Sequence, residues 1–189
     1  MGKLVYSMLT SLDGSVKDAA GGFDWATPDE ELHGYINDVS RSVSTCLLGR
    51  RMYETMVFWE DPESVRGEPP VMAEYAAIWQ GYDKIVYSTT LTDVSSERTR
   101  LEREFVPQAV RALKAASALD LTIDGPTLAE HALRAGLVDE LRVYVCPVVV
   151  GGGTRFYPQG IRLDLELLDQ RTFGNGVVAL RYAVASRNS

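Results

Sequence analysis

The feature that most constrains this chain is a strand that runs straight into a helix, repeated along the sequence. Ser44 to Leu48 is a short apolar run that stops at Gly49-Arg50-Arg51-Met52-Tyr53-Glu54, and helical spacing follows from Met52 to Trp59. Leu119 to Ile123 is another such run, stopping at Asp124-Gly125-Pro126-Thr127-Leu128, with a helix to Ala135 and Gly136 as its stop. A strand followed at once by a helix reaches a parallel neighbour through a crossover, so such units in succession build a mostly parallel α/β sheet. Lys3 to Thr10 and Lys84 to Ser88 read as further strands, and Phe105 to Leu113 as an amphipathic helix. Val71 to Trp79 reads as helical, and the segments Asp13 to Asp24 and Pro62 to Pro70 read as loops.

The last third changes character. Leu141 to Val150 is a long β-branched run, with Pro147 marking a bulge or an edge. Leu165 to Thr172 and Val177 to Ala185 pair across Gly174-Asn175-Gly176 as a hairpin. The expected architecture is a parallel sheet finished by an antiparallel edge, as one domain over residues 1–189.

Charge narrows the partners. The net charge of −7 argues against nucleic acid and anionic membrane, which require clustered Lys and Arg, but leaves room for a small anion held by a local basic pair. The run Leu4 to Leu9 alternates like a strand rather than a leader, and no apolar run approaches membrane-spanning length, so a cytoplasmic protein is expected. Cys46 and Cys146 sit inside apolar runs and read as buried free thiols. With His33 and His131 they show no ligand spacing, so no metal is expected. The two histidines read as surface or satisfied residues, and Trp59, Tyr75 and Trp79, at helical spacing, as core or a dimer face.

The junctions carry the candidate chemistry. A helix start presents free N–H groups and the positive end of the helix dipole, which suits phosphate. Paired Arg50 and Arg51 at such a start are unfavourable without an anion nearby and present two guanidinium forks to one. Two junctions, one with paired arginines, read as a site for a phosphate-rich cofactor. Gly151-Gly152-Gly153 lacks the full dinucleotide fingerprint, since Phe156 stands where the last glycine would be, and reads as a tight turn beside a substrate pocket.

The order Ser11-Leu12-Asp13-Gly14, Gly49-Arg50-Arg51-Met52-Tyr53-Glu54, Asp124-Gly125-Pro126-Thr127-Leu128 and Pro147 to Gly153, with Phe58-Trp59, Ala135 to Glu140 and Phe173 to Gly176, resembles the dihydrofolate-reductase-like superfamily. The branch is that of the riboflavin-biosynthesis reductase domain, and the likeness runs from Lys3 to Ala185. It implies a three-layer α/β/α fold and an NADPH-dependent reductase, often a homodimer, acting on a small heterocycle: reduction of a ribosylaminouracil phosphate, or a dihydrofolate-reductase-like activity. By the resemblance, Gly49, Arg50, Arg51 and Met52 hold the pyrophosphate and adenosine end, and Ser88-Thr89-Thr90 line the 2′-phosphate pocket. Asp124, Gly125, Pro126, Thr127 and Leu128 lie along the pyrophosphate, and Leu12, Asp13 and Gly14 approach the nicotinamide. Trp25, Tyr53, Gly152 and Phe156 are assigned to the substrate, Phe156 and Tyr157 as stacking walls. Relatives often carry a hydroxyl residue where this chain has Met52, and Gly-Gly where it has Asp124-Gly125.

Two acids stay open in function. Glu30 falls where folate-reducing relatives place a pocket acid, yet it also completes a capping box with Thr27 ahead of Pro28. Asp13 is a candidate proton donor, yet Asp-Gly at a strand end is also a turn former. No His-x-Glu with a Cys-x-x-Cys is present, so the zinc deaminase that often accompanies such a reductase is not expected. The alternatives are a protein that binds NADPH without turnover, and a structural dimeric domain with a decayed site.

Overall fold

An eight-stranded sheet runs through the centre of this computed structural model, which describes residues 1–185; residues 186–189 of the expected single domain lie outside the described residues. The strands are β1 Leu4–Ser11, β2 Ser15–Lys17, β3 Val43–Gly49, β4 Asp83–Tyr87, β5 Thr99–Glu102, β6 Asp120–Asp124, β7 Glu140–Cys146, β8 Thr154–Arg155, β9 Leu165–Thr172 and β10 Val178–Val184. The helices are α1 Glu30–Ser40, α2 Arg50–Met56, α3 Pro70–Gly81, α4 Pro107–Ala116 and α5 Pro126–Arg134. The sheet order is β5-β4-β3-β6-β1-β7-β10-β9. Every pairing from β5 to β7 is parallel, and β10 and β9 are antiparallel.

Alternation along the strands sends side chains to two cores. Leu4, Tyr6, Leu47, Ile85, Leu121 and Ile123 pack with Val110 of α4 and with Leu128, Ala129, Ala132 and Leu133 of α5. On the opposite face Cys46, Leu48 and Val86 pack with Tyr53 of α2 and Trp79 of α3, and Tyr144, Cys146 and Ala179 pack with Leu32 of α1. The result is the three-layer α/β/α fold, mostly parallel with an antiparallel C-terminal hairpin. No helix among the described residues is long and apolar enough to cross a membrane.

Several local readings are corrected. Asp29, not Thr27, caps α1, accepting from Leu32 N–H at 2.9 Å, while Thr27 closes a 3₁₀ turn over Asp24–Ala26. Asp sits directly before the helical residues, so it wins the cap and Glu30 falls at the first helical position. The helix expected from Met52 starts at Arg50 and turns 3₁₀ at Val57–Glu60. β7 ends at Cys146, so Pro147 stops a central strand instead of bulging within it. The short strands β2, β5 and β8 carry too few residues for a periodic signal. His33 is buried with Nδ1 3.1 Å from Asn37 Oδ1, edge-on to Trp59 and Tyr75 in a core that includes Trp79.

Candidate functional site

The two long junctions stand side by side because β3 and β6 are neighbours, with Leu48 opposite Asp124. They also interlock. A methyl built on Gly49 would stand 3.7 Å from Leu128 Cβ of α5, and one built on Gly125 would stand 3.4 Å from Met52 Cβ of α2. Gly125 has φ +93°, so glycine is needed there for conformation as well as space. Met52, where relatives often carry a hydroxyl, is therefore a packing residue between the junctions. Neither Gly49 nor Gly125 offers a side-chain cap, and Pro126 has no N–H, so Thr127 and Leu128 present the first free N–H groups of α5.

Arg50 and Arg51 are both exposed. Arg50 donates from Nε to Glu54 at 2.7 Å and from Nη1 to Thr90 Oγ1 at 3.0 Å, which joins the β3–α2 turn to the Ser88-Thr89-Thr90 turn. Ser88 is buried, and its Oγ accepts from Leu91 N–H at 2.9 Å and Thr90 N–H at 3.2 Å, holding that turn closed. Arg103 donates to Ser88 O at 3.0 Å, a second guanidinium at this turn. The sequence reading missed it because Arg103 follows β5, a strand too short to register. Arg51 makes no ion pair among the described residues.

The Asp124 carboxyl is turned into the sheet, accepting from Cys46 Sγ at 2.8 Å and Thr122 Oγ1 at 3.2 Å. Desolvation pushes its pKa up to about 6 against the lowering effect of both bonds.

At the other end, Leu12 is exposed and donates its N–H to Val148 O at 2.7 Å. The Asp13 carboxylate accepts from Val150 N–H at 3.1 Å and Gly151 N–H at 3.0 Å, and Arg155 donates to the Asp13 carbonyl. Hydrogen bonds, first from Ser11 and then from Val150, hold its pKa below the ordinary value. Asp13 thus clamps the glycine turn through its carboxylate, the turn-forming of its two expected roles. Gly153 needs to be glycine, since a Cβ there would fall 2.0 Å from Lys17 O. Gly152 sits in this turn at φ +144°.

Asp13, Gly14, Arg155, Tyr157, Pro158 and Gln159 line a shallow cleft, and the last four of these also line its continuation over Pro126, Thr127 and Glu130. The fold thereby brings the Asp13-Gly14 motif and the start of α5 onto one groove. Arg155 was missed because nothing local to it points to a site; only the fold sets it beside Asp13.

Other assignments fail on geometry. Glu30 is exposed at the start of α1 and, with Asp29 as the cap, is not part of a capping box; its neighbour Glu31 accepts from Gly174 N–H at 3.0 Å. Phe156 is fully buried, stacked on Tyr6 at 4.2 Å between ring centroids, and is core rather than a pocket wall. Tyr53 is buried too, its hydroxyl accepting from Ser95 N–H at 2.9 Å and Ser96 N–H at 3.1 Å, which anchors a loop rather than a substrate. Trp25 packs against the buried cluster of Leu32, Tyr144, Cys146 and Phe173, and its buried Nε1–H has no partner among the described residues. Among the described residues no group of three or more His, Cys, Asp or Glu could hold a metal ion.

The comparisons agree with this architecture. The chain is similar to a Bacillus subtilis (strain 168) protein described as uncharacterized protein YyaP, 26% identical over 95% of this chain and 94% of that one. Among solved structures it resembles a putative riboflavin biosynthesis protein from Shewanella sp. PV-4, with TM-score 0.75 and 19% identity over 97% of this chain and 99% of that one. It also resembles a pyrimidine reductase-like protein from Corynebacterium diphtheriae, with TM-score 0.71 and 16% identity over 98% and 92% of the two chains. A deaminase/reductase from Thermotoga maritima aligns with TM-score 0.67 and 12% identity, this chain spanning 57% of it. Residues 2–179 match the family described as the RibD C-terminal domain, and the chain belongs to that family.

Proposed function

We propose that this protein is an NADPH-dependent reductase that delivers hydride to a small heterocyclic substrate of the pyrimidine type. The observation that carries the reading is the continuous groove from Asp13-Gly14 to Pro126-Thr127, with Arg50 and Arg103 meeting at the Ser88-Thr90 turn and Arg51 next to Arg50 at the start of α2. Family membership and the likeness to a pyrimidine reductase-like protein support the substrate class.

The residues present fit such a cofactor. The Arg50 and Arg103 guanidinium groups beside the Ser88-Thr90 turn, in a chain of net charge −7, suit the 2′-phosphate, and the uncapped N–H groups of Thr127 and Leu128 suit the pyrophosphate. NADPH supplies the hydride when bound. The chain's own residues position and exclude water. The Asp13 carboxylate fixes Val150 and Gly151, so the glycine turn offers backbone without side chains to the ring. The proton comes from solvent, since Asp13 is held ionised and Glu30 is exposed on the helix start. Met52 and Asp124, which favoured binding without turnover, are each accounted for by packing and hydrogen bonds.

The β9 edge, exposed along its whole length with Leu165, Leu167 and Leu168 outward, suits pairing with a second copy of this chain. The two buried free thiols suit a reducing compartment such as the cytoplasm.

Nicotinamide and tryptophan fluorescence titrations with NADPH and NADH test the reading. NADPH should bind at least tenfold tighter than NADH, a preference lost in Arg50→Ala/Arg51→Ala. Absence of binding by either dinucleotide would overturn it.

A further inference from the structure

Asp124 is an ionisable group that the proposed reaction leaves without a task, and its setting is built. Cys46 Sγ lies 2.8 Å from Asp124 Oδ2, Thr122 Oγ1 lies 3.2 Å from the same oxygen, and Thr122 Oγ1 lies 3.2 Å from Cys46 Sγ. The three groups close a triangle across adjacent parallel strands, Cys46 opposite Thr122 and Leu48 opposite Asp124. The next residue, Gly125, turns the chain into α5, whose first residues Pro126 and Thr127 line the groove. The carboxyl is therefore fixed one residue before the place where the reading above puts a phosphate.

The Asp124 carboxyl lies on the sheet face covered by α2 and α3, at the end of the strand whose next residue turns into α5, and like charges at such neighbouring positions disfavour each other. An anion at the start of α5 raises the cost of a carboxylate at the end of β6, and the carboxyl can relieve that cost by taking up a proton. We propose that Asp124 makes dinucleotide binding proton-linked: its carboxyl is protonated as the phosphate groups settle at the β6–α5 junction. The inference rests on the cofactor reading given above and concerns the regulation of that same site.

The surroundings leave Asp124 as the group that titrates. On its face of the sheet stand Tyr75 of α3 and Tyr82 at its end, while Tyr6 of β1 lies on the other face with its hydroxyl on Phe156 O; all three phenols are pushed up by burial, and the Cys46 thiol is pushed up likewise. Lys84, beside Cys46 across the β3–β4 ladder, gives its ammonium to Trp79 O and Tyr82 O, both at 3.2 Å. Burial sets the Asp124 pKa near about 6, within reach of neutral pH, so a modest rise on binding changes its charge.

The sign follows. The dinucleotide binds more tightly as pH falls through the Asp124 titration and more weakly above it, by roughly tenfold for each unit the ligand adds to the pKa. Calorimetric titration with NADP⁺ from pH 5 to 8 tests this in the native protein and in Asp124→Asn. The 2′-phosphate itself titrates near about 6 in both proteins, so the difference between them isolates Asp124. Asparagine is neutral throughout, so the variant should match the native protein at pH 5, bind up to about tenfold more tightly at pH 8, and show less proton uptake. Binding by both proteins with the same pH dependence, or binding by the variant weaker by one factor at every pH, would overturn the linkage alone. No binding by either would overturn the dinucleotide reading and this inference with it. Should Asp124→Asn fail to fold, Thr122→Val removes a bond that lowers the Asp124 pKa, and the midpoint of the pH dependence should then move upward; an unmoved midpoint would refute the assignment.

Discussion

Replacing Glu140 with Gln should destabilise the protein by about 3 kcal/mol at neutral pH while leaving dinucleotide affinity within twofold. Glu140 opens β7 and is 1% exposed, with Arg142 Nε at 2.7 Å, Arg181 Nε at 3.1 Å and Lys3 Nζ at 3.2 Å. Despite its burial, which acts the other way, hydrogen bonds from Arg181 and Arg142 bring its pKa from the ordinary 4.5 down to about 2. At about 1.4 kcal/mol per pH unit, that depression corresponds to about 3 kcal/mol of linked stability. The folded value is below the unfolded one, so this stability is fully present above about pH 5 and is lost as pH falls toward about 2. Glutamine removes it and leaves the buried Arg142 guanidinium with Asp120, 3.7 Å away, and the Val39 carbonyl as its remaining partners. Urea unfolding of both proteins at pH 7, 5 and 3 measures the effect. The gap should be largest at pH 7 and narrow at pH 3. A gap under about 1 kcal/mol at pH 7, or one constant with pH, would refute the reasoning. Glu140 pairs with Val5 near the start of β1, whereas the site lies beyond Ser11 and Cys146 at the other end of the same ladder, so affinity should be spared.

Phe156→Ala should cost about 3–5 kcal/mol, read by chemical unfolding, because the ring is fully buried on Tyr6; a loss of affinity with unchanged stability would restore Phe156 as a pocket wall. Asp13→Ala should free the Val150 and Gly151 N–H groups, accelerate their hydrogen exchange and weaken cofactor binding severalfold; it should leave no missing ionisation near neutral pH in the rate profile, and unchanged exchange would sink the clamp. Leu167→Asp should convert a dimer to a monomer in sedimentation analysis, since Leu167 is 51% exposed on the β9 edge; a native protein that sediments as a monomer at all concentrations would end the pairing proposal.

The layered α/β architecture was legible because its signals are local. A short apolar strand running into helical periodicity declares itself at Leu48-Gly49-Arg50 and again at Ile123-Asp124-Gly125, and the Gly174-Asn175-Gly176 turn declares the final hairpin. The phosphate-binding character of Arg50 and Arg51 follows from the same local chemistry of a helix start. What tertiary structure alone decided is which residues face each other. Phe156 looked like a pocket aromatic until the sheet set it on Tyr6, and Tyr53 like a substrate contact until its hydroxyl met Ser95 and Ser96. Asp13 could be an acid or a clamp until β7 ended at Cys146 and brought Val150 and Gly151 to its carboxylate. Arg103, Arg155 and the Cys46–Thr122–Asp124 triangle carry no spacing that a sequence displays, because their partners lie across strand order, and pairing order is set by the packing of the whole core rather than by any one segment.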